Sequence, residues 1–208
     1  MNAEIRIESM TTEYIAGAVA LQRACFPAPF PEDQLWNQDH LTRHLEIFSQ
    51  GQFVALDQGH VVASASATLI SEANWQSHRS WNETVGGPFL ENFDATGQTL
   101  YGLDISVHPD YRGRGIGKRL YRARFDLVRT LGLTRYGTAC RLPDFRNFQT
   151  KFPEKTVADY AEDVVRGSAT DRTLSPLLKY GLVYNTVIND YMEDYESANA
   201  AALLEWKP

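Results

Sequence analysis

The sequence predicts one α/β (α+β) domain, in which helices flank a mixed, mostly antiparallel central sheet. The first observation is the order of the local patterns, which runs strand, two helices, several strands, helix, strand, helix and strand. The second is the composition, because 208 residues that are 43% hydrophobic and 12% aromatic can bury a sizeable core. No repeat, low-complexity tract or linker divides the chain. We therefore expect a single domain over residues 1–208.

The N-terminal half is predicted to hold a strand, two helices and a β-hairpin. Residues 5–7 form a short strand. Thr11 or Thr12 caps a helix whose apolar positions broadly follow a helical period up to Cys25 and Phe26. The second helix and the two strands of the hairpin cover residues 34–48, 53–57 and 60–69.

The C-terminal half alternates strands and helices around an insertion. The predicted strand, helix and strand cover residues 101–107, 117–131 and 133–141. Residues 142–172 are expected to form an insertion with a helix that Thr156 caps and Gly167 ends. A short helix precedes Gly181, and residues 182–191 form the final strand. The tail that follows has no assigned element.

Composition excludes several classes of partner. The net charge of −6 and the pI of about 5.4 argue against nucleic acid, because phosphate backbones favour basic surfaces. The two cysteines, Cys25 and Cys140, are too few and too far apart for a disulfide framework or a zinc site, so no metal is expected. The chain lacks the apolar run of roughly 18 residues that a membrane span needs. It also lacks the apolar core of a signal peptide. We expect a cytoplasmic protein with no membrane partner.

The most informative stretch is the glycine-rich segment of residues 111–118, which reads Tyr-Arg-Gly-Arg-Gly-Ile-Gly-Lys. It follows an apolar strand and precedes a helix. Its three glycines at alternate positions leave the backbone uncovered, and basic residues bracket them. A strand, a basic glycine-rich turn and a helix N-terminus together bind phosphate groups well. The segment therefore predicts a site for a phosphorylated cofactor.

Two common phosphate-binding motifs do not fit this segment. A P-loop needs four residues between its glycine and the Gly-Lys pair, and a Ser or Thr after the lysine, where this chain has Arg119. A dinucleotide-binding Gly-x-Gly-x-x-Gly motif fails because the third glycine comes one residue early. The segment also lies in the middle of the chain, and no acidic residue after a following strand is placed to bind a ribose.

Residues 105–120 resemble instead the GNAT superfamily of N-acetyltransferases, in which a strand leads into Val-x-Pro-x-x-Arg-Gly-x-Gly-x-Gly and an apolar helix. This chain carries that pattern at residues 107–117. The N-terminal strand and helix, the hairpin and the Tyr-Gly-Leu junction at 180–182 are similar as well. The likeness thus covers most of the chain outside residues 142–172. The chain also looks similar to the subgroup of acetyltransferase domains that are fused to carbon–nitrogen hydrolases.

The resemblance implies acetyl-CoA as the cosubstrate. Backbone amides of the glycine-rich segment, helped by its arginines, would bind the pyrophosphate. Main-chain groups of the preceding strand would hold the pantetheine arm and the acetyl carbonyl. The cofactor-binding residues implied in this way are Ile105, Ser106, Val107, Arg112, Gly113, Arg114, Gly115, Ile116, Gly117 and Lys118.

Asp104 is the first candidate for a catalytic base or an amine-binding carboxylate, because it interrupts an apolar strand one residue before the expected thioester contacts. The alternative is a structural salt bridge or an exposed position at a sheet edge. The resemblance places the usual general acid, a tyrosine, four residues before Gly181, where this chain has Leu177. Tyr180 and Tyr184 are the candidate catalytic substitutes, with plain packing as the alternative for both.

We therefore expect an N-acetyltransferase that moves an acetyl group from acetyl-CoA to a primary amine by direct attack in a ternary complex. The amine belongs to a small molecule or a peptide. Its contacts are expected from residues 27–36 and 71–97 and from the insertion, with Trp81, Glu83 and Arg141 as candidates. The alternatives are a catalytically silent acyl-CoA-binding regulatory module, which the missing tyrosine favours, and an interaction domain without a cofactor. A homodimer is a further expectation from the resemblance.

Overall fold

The structure, a computed structural model, describes residues 5–28 and 30–208. The strands in these residues are β1 (Arg6–Ser9), β2 (Gln52–Asp57), β3 (His60–Ile70), β4 (Thr99–Val107), β5 (Arg135–Arg141), β6 (Val183–Ile188) and β7 (Ala201–Trp206). They form one sheet in the order β1-β2-β3-β4-β5-β7-β6. Neighbouring strands are antiparallel except β4 and β5, which are parallel. The predicted α/β domain with a mixed, mostly antiparallel sheet is confirmed.

Helices cover both faces of the sheet. They are α1 (Ile15–Cys25), α2 (Gln38–Phe48), α3 (Glu72–Ser77), α4 (Trp81–Val85), α5 (Ile116–Leu131), α6 (Phe145–Gln149), α7 (Val157–Arg166) and α8 (Leu174–Lys179). Alternate side chains of a strand point to opposite faces. Accordingly, Leu100 of β4 clusters with Phe125 of α5, whereas Tyr101 clusters with Trp75 of α3. Leu103 packs against the cluster that holds Tyr101 and against a further cluster that includes Ile15 and Ala18 of α1. We call the two sides the α5 face and the α1 face.

Most predicted elements are present, with three corrections. Neither Thr11 nor Thr12 caps α1, because residues 12–14 form a 3₁₀ turn before it and no side chain caps either start. The second helix begins at Gln38, four residues later than predicted, because Asn37 caps it and accepts a hydrogen bond from the His40 amide at 2.9 Å. The strand predicted for residues 182–191 corresponds to β6, but it is not the final one. A further strand, β7, follows it in the chain and inserts between β5 and β6.

The predicted insertion, residues 142–172, holds α6 and α7. As predicted, α7 begins with a capping box at Thr156 and ends at Gly167, whose φ is +79°. The limits of the insertion stay a prediction. In the part of the chain that the structure describes, no helix is both long and apolar enough to cross a bilayer. The same residues contain no group of three or more His, Cys, Asp or Glu side chains that could hold a metal ion.

Strand β4 carries an irregularity at the centre of the sheet. Two consecutive residues of β3 pair with Gly102 and Asp104, so Leu103 is an extra residue and forms a β-bulge. On its other side, β4 pairs with β5 only over residues 99–102. Beyond that point the two parallel strands separate, and residues 103–107 have no neighbour there among the described strands. We call this opening the β4–β5 gap.

Candidate active site

The glycine-rich segment folds into a tight loop between β4 and α5. Gly113 and Gly115 both have a φ of +74°, a left-handed conformation that strains residues with a side chain. The loop is tied to the sheet where the Tyr111 hydroxyl donates to Oδ2 of Asp57 at 2.8 Å. The two glycines thus allow the chain to turn sharply from β4 into α5.

The first backbone amides of α5 have no acceptor among the described residues. No side chain caps the helix. The first amide that bonds back to the loop is that of Arg119, which donates to the Gly115 carbonyl at 3.2 Å. The amides of residues 116–118 are therefore free donors at the helix end. Together with the positive end of the helix dipole, they favour an anion at this position.

Gly117, the second residue of α5, is not required by the fold. Its φ lies outside the left-handed region. Apart from its chain neighbours and the adjacent backbone of α5, no described atom lies within 4 Å of the position that a Cβ would take. Glycine inside a helix also costs about 0.8–1 kcal/mol relative to alanine. A glycine here is explained if a ligand approaches the backbone closely. Because Arg112, Arg114 and Lys118 are exposed nearby in the chain, the loop fits a diphosphate such as that of CoA.

The β4–β5 gap exposes two further backbone amides. The His108 amide donates to the Val62 carbonyl of β3 at 2.9 Å. Successive residues of an antiparallel strand bond to alternate sides, so the amides of Ile105 and Val107 point away from β3 and toward the gap. The Val107 carbonyl agrees with this direction, since it accepts a hydrogen bond from Arg112 Nε at 3.2 Å. The gap thus continues the line of free amides that begins at the glycine-rich loop.

Asp104 lies beside the bulge with its carboxylate on the α1 face. Gln22 Nε2 of α1 donates to Oδ2 of Asp104 at 2.9 Å and to the Ser106 hydroxyl at 3.0 Å. Burial raises the pKa of Asp104 to about 6, while the Arg124 guanidinium and hydrogen bonds from Gln22, Ser106 and Trp36 oppose the rise. Its direct hydrogen-bond partners are neutral side chains rather than a salt-bridge partner. Asp104 is therefore mostly ionised at neutral pH, with a pKa of about 6 that suits a general base.

A cavity of about 480 Å³ opens beside Asp104 on the α1 face. Its walls are mainly aromatic and apolar, and we call it the aromatic pocket; they include Phe26, Phe30, Leu35, Trp36, Trp81 and Tyr191. Of the predicted substrate contacts, Trp81 and Arg141 line this pocket. Glu83 does not, because it belongs to the capping box of α4. None of the described lining residues comes from the insertion 142–172.

The two candidate tyrosines lie away from Asp104. Tyr184 is on β6 and packs on the α5 face, three strands from β4 in the sheet. Neighbouring strands lie about 4.8 Å apart, so roughly 14 Å separates β6 from β4. Tyr180 follows α8, where its ring lies 5.6 Å from that of Tyr121. Leu177, at the position of the usual tyrosine, is buried. The catalytic roles of Tyr180 and Tyr184 stay predictions.

Arg124 of α5 is buried directly behind the bulge, with only 1% of its surface exposed. Its Nη1 donates to the Tyr136 hydroxyl at 2.9 Å, and its Nη2 donates to the carbonyls of Ser66 and Asp104. The guanidinium therefore binds the backbone of both strands at the position where β3 and β4 fall out of register. It also lowers the pKa of the Asp104 carboxyl through its charge.

Arg124→Met is expected to destabilise the protein and to alter Asp104. The variant leaves buried carbonyls without their donor, which should cost about 3–5 kcal/mol and lower the Tm by roughly 6–20 °C. The pKa of Asp104 should rise, because an opposing positive charge is lost. Thermal unfolding and the pH dependence of kcat measure the two effects. Arg122→Met, an exposed position on the same helix, is the control; an equal loss of Tm there would contradict the assignment.

Comparison with known proteins identifies a family and two relatives that this chain resembles. The profile of the Acetyltransferase (GNAT) family matches residues 15–151. The uncharacterized N-acetyltransferase YkwB of Bacillus subtilis (strain 168) is 34% identical over 203 residues, which cover 98% of this chain and 88% of that protein. The probable hydrolase YhcX of the same organism is 33% identical over 201 residues. That match covers 96% of this chain but only 38% of YhcX, in agreement with the predicted likeness to hydrolase-fused domains.

A solved structure shares the fold. The GphF GNAT-like decarboxylase, in complex with isobutyryl-CoA, has a TM-score of 0.78 and covers 97% of this chain and 98% of its own. At 22% identity, this likeness shows the fold alone. The resemblance expected from residues 105–120 is confirmed by the family match and by the two Bacillus relatives. This chain belongs to the Acetyltransferase (GNAT) family.

Proposed function

We propose that this protein is an acetyl-CoA-dependent N-acetyltransferase, in which a primary amine attacks the acetyl group directly while both substrates are bound. The observation that carries the proposal is the arrangement at the β4 bulge. There the Asp104 carboxylate lines the aromatic pocket, and the free amides of Ile105 and Val107 point into the adjoining gap. An amine held by Asp104 would lie next to a carbonyl held by those amides. Family membership supports acyl transfer from CoA.

The glycine-rich loop would hold the diphosphate of CoA. Its free amides at residues 116–118 would donate hydrogen bonds, and its arginines and lysine would add charge-assisted ones. The amides of Ile105 and Val107 would align the pantetheine arm and bind the acetyl oxygen. When bound, acetyl-CoA supplies the activated acetyl group. The open space at Gly117 is the feature of this chain that fits such a ligand.

Asp104 would accept the proton that the amine loses as it attacks. Its raised pKa makes it a stronger base than an ordinary aspartate, and Gln22 and Trp36 hold its carboxylate in place. The amides of Ile105 and Val107 would stabilise the negative charge that develops on the acetyl oxygen. Tyr180 and Tyr184 remain the candidate donors of the proton that the departing thiolate takes up.

A thiol-release assay with a panel of primary amines, together with calorimetry of acetyl-CoA binding, tests the proposal. We expect acetyl-CoA to bind without an amine, and thiol to be released only when an amine is present. Failure to bind acetyl-CoA would contradict the proposal entirely. Binding without turnover of any amine would favour the catalytically silent acyl-CoA-binding module, for which the buried Leu177 is the specific observation.

A further inference from the structure

We infer that the acceptor is a primary amine with an apolar, aromatic body, which enters the aromatic pocket with its ammonium group toward Asp104. The inference rests on the proposed function and adds the chemical class of the acceptor to it. Three properties of the pocket support it: the composition of its walls, the distribution of its charges, and its size. Each is independent of the glycine-rich loop.

The walls offer flat apolar surface in two aromatic pairs. Trp36 and Trp81 lie with ring centroids 5.9 Å apart, and Phe26 and Phe30 lie 4.9 Å apart. All four line the pocket. Aromatic rings pack well against one another in tilted and edge-to-face arrangements. A ligand ring placed against these pairs would exchange water for aromatic contacts.

The charges that face the pocket select a cation. Among the described lining residues, Asp104, Glu193 and Arg141 carry formal charges at neutral pH. Arg141 is already matched, because its Nη2 contacts Asp194 at 2.6 Å and Glu196 at 3.0 Å. The described side chains that hydrogen-bond to the Asp104 carboxylate are neutral, so no cation is paired with it on this face. Glu193 is exposed. An ammonium group would complement the pocket, whereas a carboxylate would meet like charge.

Two histidines near the pocket do not alter this balance. His40 lines the pocket, and burial lowers its pKa. His44 lies behind Trp36, with ring centroids 4.9 Å apart, and burial lowers its pKa to about 4. His44 is therefore neutral at the pH where Asp104 is ionised, and burial favours the neutral form of His40. Both rings extend the aromatic surface beside the pocket.

The size of the pocket favours a small molecule. A volume of about 480 Å³ lies within the range of roughly 300–1,000 Å³ that is typical of small-ligand sites. An arylalkylamine the size of 2-phenylethylamine is short enough to place its ring between the aromatic walls and its nitrogen at Asp104. The apolar surroundings would also lower the pKa of its ammonium group, which favours loss of one proton to solvent before attack. Asp104 would then accept the second proton as the neutral amine attacks.

Equilibrium binding of four matched compounds tests the inference without any turnover. The compounds are 2-phenylethylamine, ethylamine, 3-phenylpropionate and 1,4-diaminobutane, measured by calorimetry and by tryptophan fluorescence on the full chain. We expect 2-phenylethylamine to bind about 10- to 100-fold more tightly than ethylamine, because its ring is buried. It should also bind more tightly than 3-phenylpropionate, which carries a similar body with the opposite charge. If 1,4-diaminobutane bound more tightly than 2-phenylethylamine, the inference that the acceptor has an aromatic body would be wrong.

Two variants test whether the pocket wall causes the difference in affinity between 2-phenylethylamine and ethylamine. Phe30→Ala, in the pocket wall, should reduce the affinity for 2-phenylethylamine about tenfold and leave that for ethylamine nearly unchanged. Phe152→Ala, at an exposed position outside the pocket, should change neither. Equal affinities in the wild type and in Phe30→Ala would overturn the inference.

The outcome is separable from that of the proposed function. Turnover of another amine without binding of 2-phenylethylamine would refute the aromatic acceptor and leave N-acetyl transfer standing. Binding of 2-phenylethylamine and of acetyl-CoA without thiol release from any amine would refute the transfer and retain the pocket as an amine site.

Discussion

Replacing Gly117 with aspartate should abolish measurable acetyl-CoA binding while leaving the fold at least as stable. A Cβ at this position meets no described atom within 4 Å apart from its chain neighbours and the adjacent helix backbone, but the carboxylate would enter the space that we assign to the diphosphate and repel it. We expect a loss of at least about 100-fold in affinity, or ~2.7 kcal/mol. The free energy of unfolding should stay level or rise, because an acidic residue in the first turn of a helix gains about 0.3–1 kcal/mol. Calorimetry and thermal unfolding measure the two quantities.

Ala158→Asp is the matched control for this variant. Ala158 is exposed and is also the second residue of its helix, α7, so the same side chain is introduced at the same helical position away from the loop. It should leave acetyl-CoA binding unchanged. Equal affinities of Gly117→Asp and the wild type would show that the start of α5 does not bind the diphosphate.

Asp104→Asn should lower kcat by about 10²- to 10⁴-fold, the usual contribution of a general base, with the affinity for acetyl-CoA unchanged. In the wild type, kcat should fall as the pH drops through about 6, where Asp104 becomes protonated. The variant should lack this acid limb. The pH–rate profiles of the two proteins, together with acetyl-CoA calorimetry, provide the measurement.

The pH dependence of the stability of the wild type and of Asp104→Asn checks the raised pKa of Asp104 independently of kcat. The pKa of Asp104 is raised in the folded state from 3.8 to about 6, so the folded state binds this proton more tightly than the unfolded state. Its contribution to stability is thus complete below about pH 4 and is lost as the pH rises through about 6. Asp104→Asn should remove that slope, whereas Asp126→Asn, at an exposed site on α5, should retain both slope and kcat. A normal kcat in Asp104→Asn would exclude Asp104 as the base.

Local sequence signals were enough to predict the glycine-rich loop and most of the elements. The spacing of the glycines in residues 111–118 predicts both the turn and the helix start. This works because a positive φ and an uncapped helix N-terminus depend only on residues that are adjacent in the sequence. The capping box of α7 was predicted for the same reason. By contrast, β7 is buried along most of its length and lacks the alternation that identifies a half-exposed strand.

Trp81 and Arg141 of the pocket were predicted, but the contacts that complete it around Asp104 could not be, because they are distant in sequence. Gln22 and Asp104 are separated by 82 positions, and no local pattern links them. Gln22 did leave one signal, as a polar residue among the inward-facing positions of α1. The opening after Gly102 depends on how far β5 follows β4, which is a property of the assembled sheet. The same limit applies to Tyr180 and Tyr184, because their closeness to Gly181 in the sequence does not determine their distance from Asp104 in the fold.

The opening between β4 and β5 has a kinetic consequence. The glycine-rich loop leads into α5 on one side of the sheet, while the aromatic pocket lies on the other, so the two substrates would approach the bulge from opposite directions. Neither would block the path by which the other arrives or leaves. Initial-rate and product-inhibition patterns should therefore show no compulsory order of addition, and free CoA should depart whether or not the acetylated amine has already gone.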